Sequence, residues 1–291
     1  MICTALNGGL GNQLFQYAAG RQLAIRQQTE LLLDDNQLSA ARTRTTSRQL
    51  ELHHFKVSAQ PVASQHVAGL RLARRLPLLA RTLTPWHVLF EKANGYDVRF
   101  ESASPNTYLV GYWQSYKYFT EVASAIADDL EPAVELSDAS RTFASAIDRS
   151  EAVAVHVRRG DYVSLKSAAK FHGALSLDYY ASALGSMQSA VPKARFFVFS
   201  DDSSWCRANL PPLALDVVFV GGNVDLPAWE DLVLMARCRH HIIANSSFSW
   251  WGAWLADQRF GTRRRVISPL NWFVDTRRVN RDRFPLHWEL L

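Results

Sequence analysis

Two adjacent arginines, Arg158 and Arg159, follow a run of alternating apolar residues in the middle of the chain. Valines at every second position of residues 153–157 predict a β-strand. Two permanent cations repel each other unless an anion lies between them, and parallel α/β sheets bind ligands at the carboxyl ends of their strands. Because arginine donates paired hydrogen bonds to phosphate, the pair predicts a diphosphate site. The alternative is a solvated turn in which both arginines pair with acids, one of them Asp161.

A second candidate anion site is the turn Asn-Gly-Gly-Leu-Gly-Asn-Gln that begins at Asn7, between a predicted strand and a predicted helix. Backbone amides and the helix dipole attract anions there. Gly9 and Gly11 match the first two glycines of the dinucleotide fingerprint, and the acidic pair 34–35 ends the next predicted strand, where a ribose-binding acid belongs. Leu14 stands in place of the third glycine and should obstruct close helix–strand packing. A nicotinamide or flavin oxidoreductase and a simple tight turn stay open as alternatives.

The third candidate is the predicted loop before the last helix. Ser246 and Ser247 stand where that helix begins, so their hydroxyls can cap it or donate hydrogen bonds to a phosphate. Trp250, Trp251 and Trp254 recur at helical spacing. Such a stripe is mostly core.

Composition indicates a soluble globular protein of one large or two moderate domains: 291 residues, 48% hydrophobic and 20% charged. The formal net charge of +5 favours an anionic ligand or surface and is too small to imply nucleic acid. Cys3, Cys206 and Cys238 form no CxxC pair, and their odd number argues against a disulfide scaffold. The chain shows no signal-peptide pattern and no apolar run long enough for a membrane span, so we expect a cytoplasmic protein.

Strands and helices alternate along both halves, which predicts an α/β fold with parallel sheets. Asp225 with Pro227 forms a helix-start signal, an N-cap followed by a proline in the first turn. We expect two domains, 1–145 and 146–291, with a seam near residues 139–151. Predicted strands are 1–6, 31–33, 108–110, 153–157, 196–199, 217–220 and 241–243, and predicted helices are 12–25, 116–130, one from 177, one ending at 238, and 248–256.

Seven motifs occur in order along the chain: NGGLGNQLFQYA from Asn7, GYWQSYKYF from Gly111, HVRRGDY from His156, FHG from Phe171, SLDYY from Ser176, FSDD from Phe199 and ANSSFSWWGAW from Ala244. Together they resemble the bacterial α-1,2-fucosyltransferases of glycosyltransferase family 11, over residues 6 to 255. The resemblance implies a GT-B-like fold of two facing Rossmann-type domains. The N-terminal domain would then be the acceptor side, and the C-terminal domain would bind GDP-β-L-fucose.

The resemblance also implies donor contacts from eight residues: Asn12, His156, Arg158, Arg159, Asp201, Asp231, Ser246 and Ser247. The arginines would clamp the diphosphate, and the serines would donate to its β-phosphate. Asp231 would read the guanine edge, although an amphipathic helix could equally present it to solvent. Asp201 and Asp202 lie at a predicted strand end, near the expected ribose and base.

The mechanism implied by this resemblance is inverting transfer to a galactose 2-hydroxyl. Charge develops on the β-phosphate of departing GDP, so fixed cations there stabilise the transition state. We expect no metal and no other cofactor, although the acidic pair 201–202 resembles a metal-binding motif. Arg158, Asp161 and His172 are the candidate catalytic residues. Asp161 and His172 are candidates for the general base, and so is His156, although a lone histidine is more often structural.

The implied partners are GDP-fucose and a galactose-terminated oligosaccharide or lipid-linked glycan. The basic, leucine-containing stretch 71–81 could rest on the inner membrane as a peripheral contact. Pro77 interrupts this stretch, and a solvated helix packed on the core is the alternative. Two further function classes stay open: a Rossmann-type oxidoreductase, and a non-catalytic glycan-binding protein that uses its tryptophans.

Overall fold

The computed structural model describes residues 1–40, 49–92, 95–164, 166–171, 173–210, 216–221, 226–278 and 282–291. The chain divides into a first unit, Met1–Ala133 with Arg281–Phe284, and a second unit, Val134–Asn280 with Pro285–Leu291. Each unit contains one parallel sheet, as the alternating pattern predicted. In the described ranges no helix combines the length and apolarity that a membrane span requires.

The sheet of the first unit has five parallel strands in the order β3-β2-β1-β5-β4. Its strands are β1 Ile2–Ala5, β2 Leu31–Asp34, β3 Gln60–Pro61, β4 His87–Phe90 and β5 Thr107–Val110. Its helices are α1 Leu10–Arg26, α2 Asn36–Ala40, α3 Ser64–Arg75, α4 Pro77–Leu83 and α5 Ala123–Asp129. The 3₁₀ turns are Leu52–His54, Val98–Phe100, Tyr116–Tyr118 and Thr120–Val122.

Helix α1 packs closely on this sheet through a glycine other than the one that the dinucleotide fingerprint demands. Leu14 is fully buried in the core. The close approach occurs further along, at Gly20, where an added Cβ would lie 2.7 Å from both Thr4 Oγ1 and Leu31 Cδ1. The leucine therefore fills the core, and the packing role that the fingerprint gives to its third glycine belongs to Gly20.

The predicted helix 116–130 is wrong in its first half. Two 3₁₀ turns precede α5, and the Ser115 side chain caps the first of them by accepting from the Lys117 N–H. Tyr118 and Phe119 are both buried, and the Tyr118 hydroxyl accepts a hydrogen bond from the Asp97 N–H at 2.7 Å. Burial of both neighbouring aromatic residues overrides the helical period here.

The basic stretch 71–81 forms two helices separated at Pro77, as its proline predicted. Leu70 and Ala73 of α3 are buried in the core of the first unit, so this helix is packed as the alternative interpretation expected. Leu76 and Leu78 are exposed.

The sheet of the second unit has six parallel strands in the order β11-β10-β9-β6-β7-β8. Its strands are β6 Glu151–Val157, β7 Ala194–Ser200, β8 Val217–Phe219, β9 His240–Ile242, β10 Val266–Ser268 and β11 Glu289–Leu290. Its helices are α6 Asp138–Asp148, α7 Gly160–Ser164, α8 Lys166–Phe171, α9 Leu177–Ala190, α10 Ser203–Asn209, α11 Ala228–Arg237 and α12 Ser247–Phe260.

Strand β6 lies between β7 and β9 and is covered on both faces. Val153, Val155 and Val157 pack into one core cluster, and Ala152 and Ala154 pack into another. The period of two in the sequence thus corresponds to two apolar layers. Layers on both faces fix the register of β6, and with it the position of the residues that follow Val157.

Two helices test the predicted domain seam and the predicted helix start at Asp225 and Pro227. Helix α6, which overlaps the predicted seam, lies in the second unit. Pro227 is the N-cap of α11 and precedes its first turn, and Asp225, the predicted cap, lies outside the described residues.

Candidate active site

The carboxyl edge of the second sheet gathers the predicted donor-binding residues. Arg158 and Arg159 follow β6 directly, Asp201 follows β7, and Ser246 lies between β9 and α12. Because these strands are parallel, their carboxyl ends meet at one edge of the sheet. The central position of β6 places the two arginines between the other two segments.

Asp201 holds both arginines through both of its carboxylate oxygens. Its Oδ2 pairs with Arg158 Nη1 at 2.9 Å, and its Oδ1 accepts the Arg159 backbone N–H at 2.8 Å. The paired side chains are 26% and 25% exposed. A pair this accessible contributes at most about 1 kcal/mol. A doubly charged diphosphate could therefore compete for the Arg158 guanidinium at little cost.

The Arg159 guanidinium is held between an acid and an aromatic ring. Its Nε lies 3.2 Å from Asp202 Oδ2, and its Cζ lies 4.3 Å from the centre of the Trp205 ring. Asp202 also caps α10 by accepting the Trp205 N–H at 3.0 Å. The Arg158 Cζ lies farther from its aromatic neighbour, at 5.7 Å from the centre of the Tyr162 ring. These contacts restrict both guanidiniums before any ligand binds, which favours a fixed anion site.

The pairing of both arginines with acids, which the alternative interpretation named, is thus present, through Asp201 and Asp202. The Asp161 side chain, which the sequence offered as one partner, lies outside the described part of the structure, although its backbone belongs to α7. The diphosphate contacts of the arginines stay a prediction.

Gly160 leaves the space that the Asp201 carboxylate occupies beside Arg158. A Cβ added at Gly160 would lie 2.8 Å from Asp201 Oδ2. Any side chain there would displace the carboxylate from Arg158. The glycine of the arginine motif is therefore required by packing.

His156 is a buried link between β6 and α12. Its Nδ1 lies 2.8 Å from Ser249 Oγ, and its backbone carbonyl accepts the Tyr180 hydroxyl at 3.2 Å. Burial, and then the charge of Arg158, lower the pKa of His156 to about 3. The ring is therefore neutral and too weak a base to serve as the proton acceptor at neutral pH. Its expected donor contact stays a prediction.

The start of α12 combines a capping hydroxyl with the positive end of a helix dipole. Ser246 is the N-cap, and its Oγ accepts the Phe248 N–H at 3.3 Å. Ser247 is the first residue of this 14-residue helix. Capping by Ser246, one of the two sequence interpretations, is confirmed. Its geometry is compatible with donation of the hydroxyl proton to an anion, since the cap uses the oxygen as an acceptor.

Asp231 is half-buried on α11 beside a fully engaged acid. Glu230 accepts hydrogen bonds from Ser137 N at 3.0 Å, Ser137 Oγ at 2.7 Å and Ser140 Oγ at 2.5 Å. Burial opposes its charge, but the hydrogen bonds, first from Ser140 and then from Ser137, outweigh it and lower the pKa of Glu230. Burial and this neighbouring charge raise the pKa of Asp231 to about 7.

The sequence analysis did not predict the hydrogen bonds that hold Glu230, the neighbour of Asp231. The available signal was the pair of serines, Ser137 and Ser140, at the start of a predicted boundary segment. Nothing local in the sequence connects them to Glu230, which lies 93 residues after Ser137.

In the first unit, side chains of α1 contact the turn after β1 and hydrogen-bond to it. Gly8 has φ +77°, and a Cβ added there would lie 2.4 Å from Asn12 Nδ2. Gln16 is fully buried, accepts the Asn7 N–H at 3.0 Å and donates to the Gly111 carbonyl at 3.1 Å. The glutamine of the motif is thus a brace for two loops, which the sequence analysis did not identify.

Asn12, the predicted donor contact of this turn, belongs to a hydrogen-bonded row. Its Oδ1 accepts from Gln114 Nε2 at 2.7 Å, and Gln114 Oε1 accepts from Arg283 Nη1 at 2.5 Å. This row orients the Gln114 amide at both ends. The nucleotide contact of Asn12 stays a prediction.

His172, the other candidate base, lies outside the described residues. Where side chains are described, no group of three or more histidines, cysteines, aspartates and glutamates is arranged to hold a metal ion. The acidic pair 201–202 is instead engaged with the two arginines.

Comparison with known proteins agrees with the sequence motifs. A family model described as glycosyl transferase family 11 matches residues 83–290. An α-1,2-colitosyltransferase of Escherichia coli is 30% identical over 99% of this chain and 98% of its own length. A galactoside α-(1,2)-fucosyltransferase 1 of Ateles belzebuth is 28% identical over 62% of this chain and 52% of its own length.

Among solved structures, an α-1,6-fucosyltransferase, NodZ, soaked with GDP-fucose has a TM-score of 0.50 at 16% identity, covering 87% of this chain and 91% of that one. The likeness concerns the fold, and with the two parallel α/β sheets it confirms the predicted GT-B-like fold class. The matches give no support to the oxidoreductase alternative. By its family match and its full-length relative, the chain belongs to glycosyltransferase family 11.

Proposed function

We propose that this protein transfers L-fucose from GDP-β-L-fucose to the 2-hydroxyl of a terminal galactose in a glycan, forming an α-1,2 linkage with inversion. Family membership supports a glycosyl transfer, and relatives named as α-1,2-transferases support the linkage. The observation that carries the proposal is the arginine pair fixed at the carboxyl edge of the second sheet.

The chemistry follows from the leaving group. The bond between the sugar C1 and the β-phosphate oxygen breaks, and its electron pair leaves with GDP. Arg158 and Arg159 would neutralise the charge that develops there, and the Ser246 hydroxyl and the start of α12 would donate to the same oxygens. The acceptor 2-hydroxyl forms the new bond to C1 from the opposite face, and its proton passes to solvent.

The proposal includes transfer without a metal or other cofactor. Its support is that two guanidiniums already supply the positive charge that a cation would otherwise bring to a nucleoside diphosphate. If the reaction follows this route, a chelator leaves its rate unchanged, and added magnesium does not accelerate it.

A second candidate for the transferred sugar is colitose, because the relative that matches 99% of this chain is an α-1,2-colitosyltransferase. Colitose is fucose without its 3-hydroxyl. Both sugars present the same anomeric carbon to the acceptor, so the arginine pair serves either donor. Selection between them depends on contacts to one hydroxyl, which a competition between the two donors measures directly.

The decisive experiment offers purified protein GDP-fucose and GDP-colitose, each with lactose and other galactose-terminated oligosaccharides, with and without EDTA. We expect a fucosylated product whose linkage, read by NMR, is α-1,2. Release of GDP that depends on the acceptor would exclude a purely glycan-binding protein. Absence of product with every donor, or a different linkage, would refute the proposed function.

A lipid-linked acceptor would bring this protein to the cytoplasmic face of the inner membrane, and the α3–α4 segment offers a surface for it. Leu78 is 81% exposed, and Arg74 and Arg75 at the end of α3 are also exposed. An apolar residue beside cations suits anionic lipid. Co-sedimentation with anionic but not neutral vesicles, lost in Leu78→Ser, tests this part of the proposal, and equal sedimentation of both proteins would remove it.

A further inference from the structure

Two phenylalanine rings and one arginine lie together in the second unit. Phe171 is the last residue of α8, and Phe273 and Arg278 belong to the segment that follows β10. The two rings meet edge to face, with their centres 5.1 Å apart. The Arg278 Cζ lies 4.6 Å from the centre of the Phe171 ring and 5.7 Å from that of the Phe273 ring. These three residues form the Phe171 cluster.

The cluster is held in place by the motif Phe-His-Gly that begins at Phe171, a motif to which the sequence analysis gave no structural role. The Phe171 carbonyl accepts the Val274 N–H at 3.1 Å. Gly173 has φ +68°, and a Cβ added there would lie 2.9 Å from Val274 Cγ2. Both ends of the motif therefore pack directly against the segment after β10, and the glycine leaves the space that this contact needs.

Asn245 joins the cluster to the carboxyl end of β9, which it follows in the chain. Its Nδ2 donates to the Gly173 carbonyl at 3.1 Å and to the Trp272 carbonyl at 3.4 Å. Its own carbonyl accepts the Tyr162 hydroxyl at 3.1 Å, and the centre of the Tyr162 ring lies 5.7 Å from the Arg158 Cζ. The cluster and the expected diphosphate site are thus connected through Tyr162 and Asn245, within one unit.

The two tyrosines of the Ser-Leu-Asp-Tyr-Tyr motif hold the strand ends that carry these sites. The Tyr180 hydroxyl donates to the His156 carbonyl at 3.2 Å, near the end of β6. The Tyr179 hydroxyl donates to the Ile243 carbonyl at 2.7 Å, just after β9. Both tyrosines belong to α9, so one helix binds the carboxyl ends of two neighbouring strands. The arginine pair and the cluster are therefore fixed relative to each other before any ligand binds.

Arg278 keeps its hydrogen-bond donors available. Among the residues that the structure describes, its guanidinium forms no hydrogen bond and no ion pair. The acid nearest to it in the sequence, Asp275, pairs with Arg277 at 2.8 Å. A guanidinium that lies on aromatic faces is attracted to the rings and still presents N–H groups at its edge. Arg278 can therefore donate to the hydroxyl oxygens of a ligand.

The exposed surface at the cluster is apolar. Phe171 is 39% exposed, and Leu270 and Val274 are 54% and 55% exposed. An aromatic ring beside fixed donors suits a pyranose, whose C–H groups form an apolar face and whose hydroxyls accept hydrogen bonds. A phosphate or a carboxylate would pair with Arg278 but would leave the ring without a partner. The combination therefore favours a sugar over a simple anion.

We propose that the Phe171 cluster binds a sugar of the acceptor glycan, with the Phe171 ring on the apolar face of the pyranose and the Arg278 guanidinium donating to its hydroxyls. The contacts from Arg158 reach the cluster through Tyr162 and Asn245. The transferred sugar, which is bonded to the β-phosphate, is expected nearer to the arginine pair, so the cluster is left for the acceptor. This inference rests on the proposed function and assigns acceptor contacts to the second unit.

Three variants test the two halves of this subsite. Arg278→Ala removes the donors, Phe171→Ala removes the ring, and Phe171→Tyr keeps an aromatic ring in its place. Arg259→Ala is the matched control, because Arg259 also lies over a phenylalanine, with its Cζ 5.3 Å from the centre of the Phe260 ring. Arg259 and Phe260 end α12, at the opposite end of that helix from the expected anion site.

Acceptor binding is measured by saturation-transfer NMR of lactose in the presence of GDP, and by the acceptor KM of the transfer reaction. Titration calorimetry with GDP-fucose alone measures donor binding, and thermal unfolding shows whether each variant is folded. We expect Arg278→Ala and Phe171→Ala to raise the acceptor KM about tenfold or more and to weaken the saturation-transfer signals. The Kd of GDP-fucose should stay within about twofold of the wild type. Phe171→Tyr and Arg259→Ala should bind lactose like the wild type.

Two results would overturn the inference. One is a folded Arg278→Ala protein whose acceptor KM and saturation-transfer signals stay within about twofold of the wild type. The other is a Kd of GDP-fucose that rises as much as the acceptor KM, because the cluster would then hold the donor sugar. If Phe171→Ala does not fold, Arg278→Ala decides. Failure of the wild type to transfer any sugar would refute the proposed function, and the NMR experiment would still show whether the cluster binds lactose.

Discussion

Replacing Arg158 by alanine separates stabilisation of the leaving group from stability of the fold. The guanidinium lies at the surface end of the site, paired with Asp201 at 2.9 Å and 5.7 Å from the Tyr162 ring. The backbone beneath it is fixed by β6, whose valines are buried in the core. We therefore expect Arg158→Ala to fold and to fail in transfer.

The two magnitudes differ enough to be measured. An accessible ion pair contributes about 0.2–1 kcal/mol, and an aromatic contact of a partly exposed cation adds about 0.5–1 kcal/mol. Unfolding should thus become easier by no more than about 2 kcal/mol, a fall of at most about 8 °C in melting temperature. Loss of one preorganised charge at a developing anion costs about 2.7–4 kcal/mol in the barrier, which lowers kcat about 10²- to 10³-fold.

The assay is initial-rate GDP release with a saturating galactoside, combined with thermal unfolding of the same preparations. Arg195→Ala is a matched control, because Arg195 also combines an acid, Asp216 at 3.4 Å, with an aromatic ring, Phe197 at 5.9 Å. It lies at the opposite end of β7 from Asp201. A folded Arg158→Ala protein with more than about a tenth of wild-type kcat would refute the reasoning, as would an equal loss in the control.

Three further predictions concern groups whose environments are well defined. If Asp231 binds the guanine N–H groups as expected, its ionised form binds them better, so with a pKa of about 7 the Kd of GDP should rise up to about tenfold from pH 8 to pH 6. Titration calorimetry should find this dependence absent in Asp231→Asn. Between about pH 6.5 and 3, His156 binds a proton in the unfolded chain but not in the folded protein. The free energy of unfolding of the wild type should therefore fall on acidification through that range, by up to about 1.4 kcal/mol per pH unit from this group. Denaturant unfolding at several pH values should show a smaller change per pH unit in His156→Asn. Asp257 pairs with the buried Arg264 at 2.7 Å and accepts from Trp288 Nε1 at 2.8 Å, so Asp257→Asn should cost about 3–5 kcal/mol in urea unfolding, and a loss under 1 kcal/mol would contradict the buried-pair argument.

The parts of the fold that the sequence predicted are those whose signals are local. The alternation in residues 153–157 predicts a strand, which is covered on both faces. The two arginines that follow it predict an anion site at its carboxyl end. The glycine-rich turn before α1 and the serines before α12 are similarly local, since a turn and a cap depend on neighbours within four residues. For these segments the structure and the sequence pattern agree.

The remaining parts depend on contacts between distant residues. Strand β3 is two exposed residues long and β4 is only half-buried, so neither carries an apolar period that could be recognised. The Glu91 carboxylate, which accepts the Tyr112 and Trp113 N–H groups, shows no motif of its own, because these partners lie 21 and 22 residues away. The row from Arg283 to Gln114 joins residues 169 positions apart. Separations of this size leave no trace in a local pattern.

The two sheets share one local arrangement at the carboxyl ends of their strands. On each edge a carboxylate follows a strand and is anchored by backbone N–H groups of the neighbouring segment: Asp201 by that of Arg159, and Glu91 by those of Tyr112 and Trp113. Asp201 uses its second oxygen to position a guanidinium, which prepares the edge for an anion. Glu91 uses one oxygen, Oε2, for both backbone N–H groups. Asp201 thus orients the arginine pair because its second oxygen meets a cation, and Arg158→Ala removes that contact while it leaves the backbone anchor of the carboxylate in place.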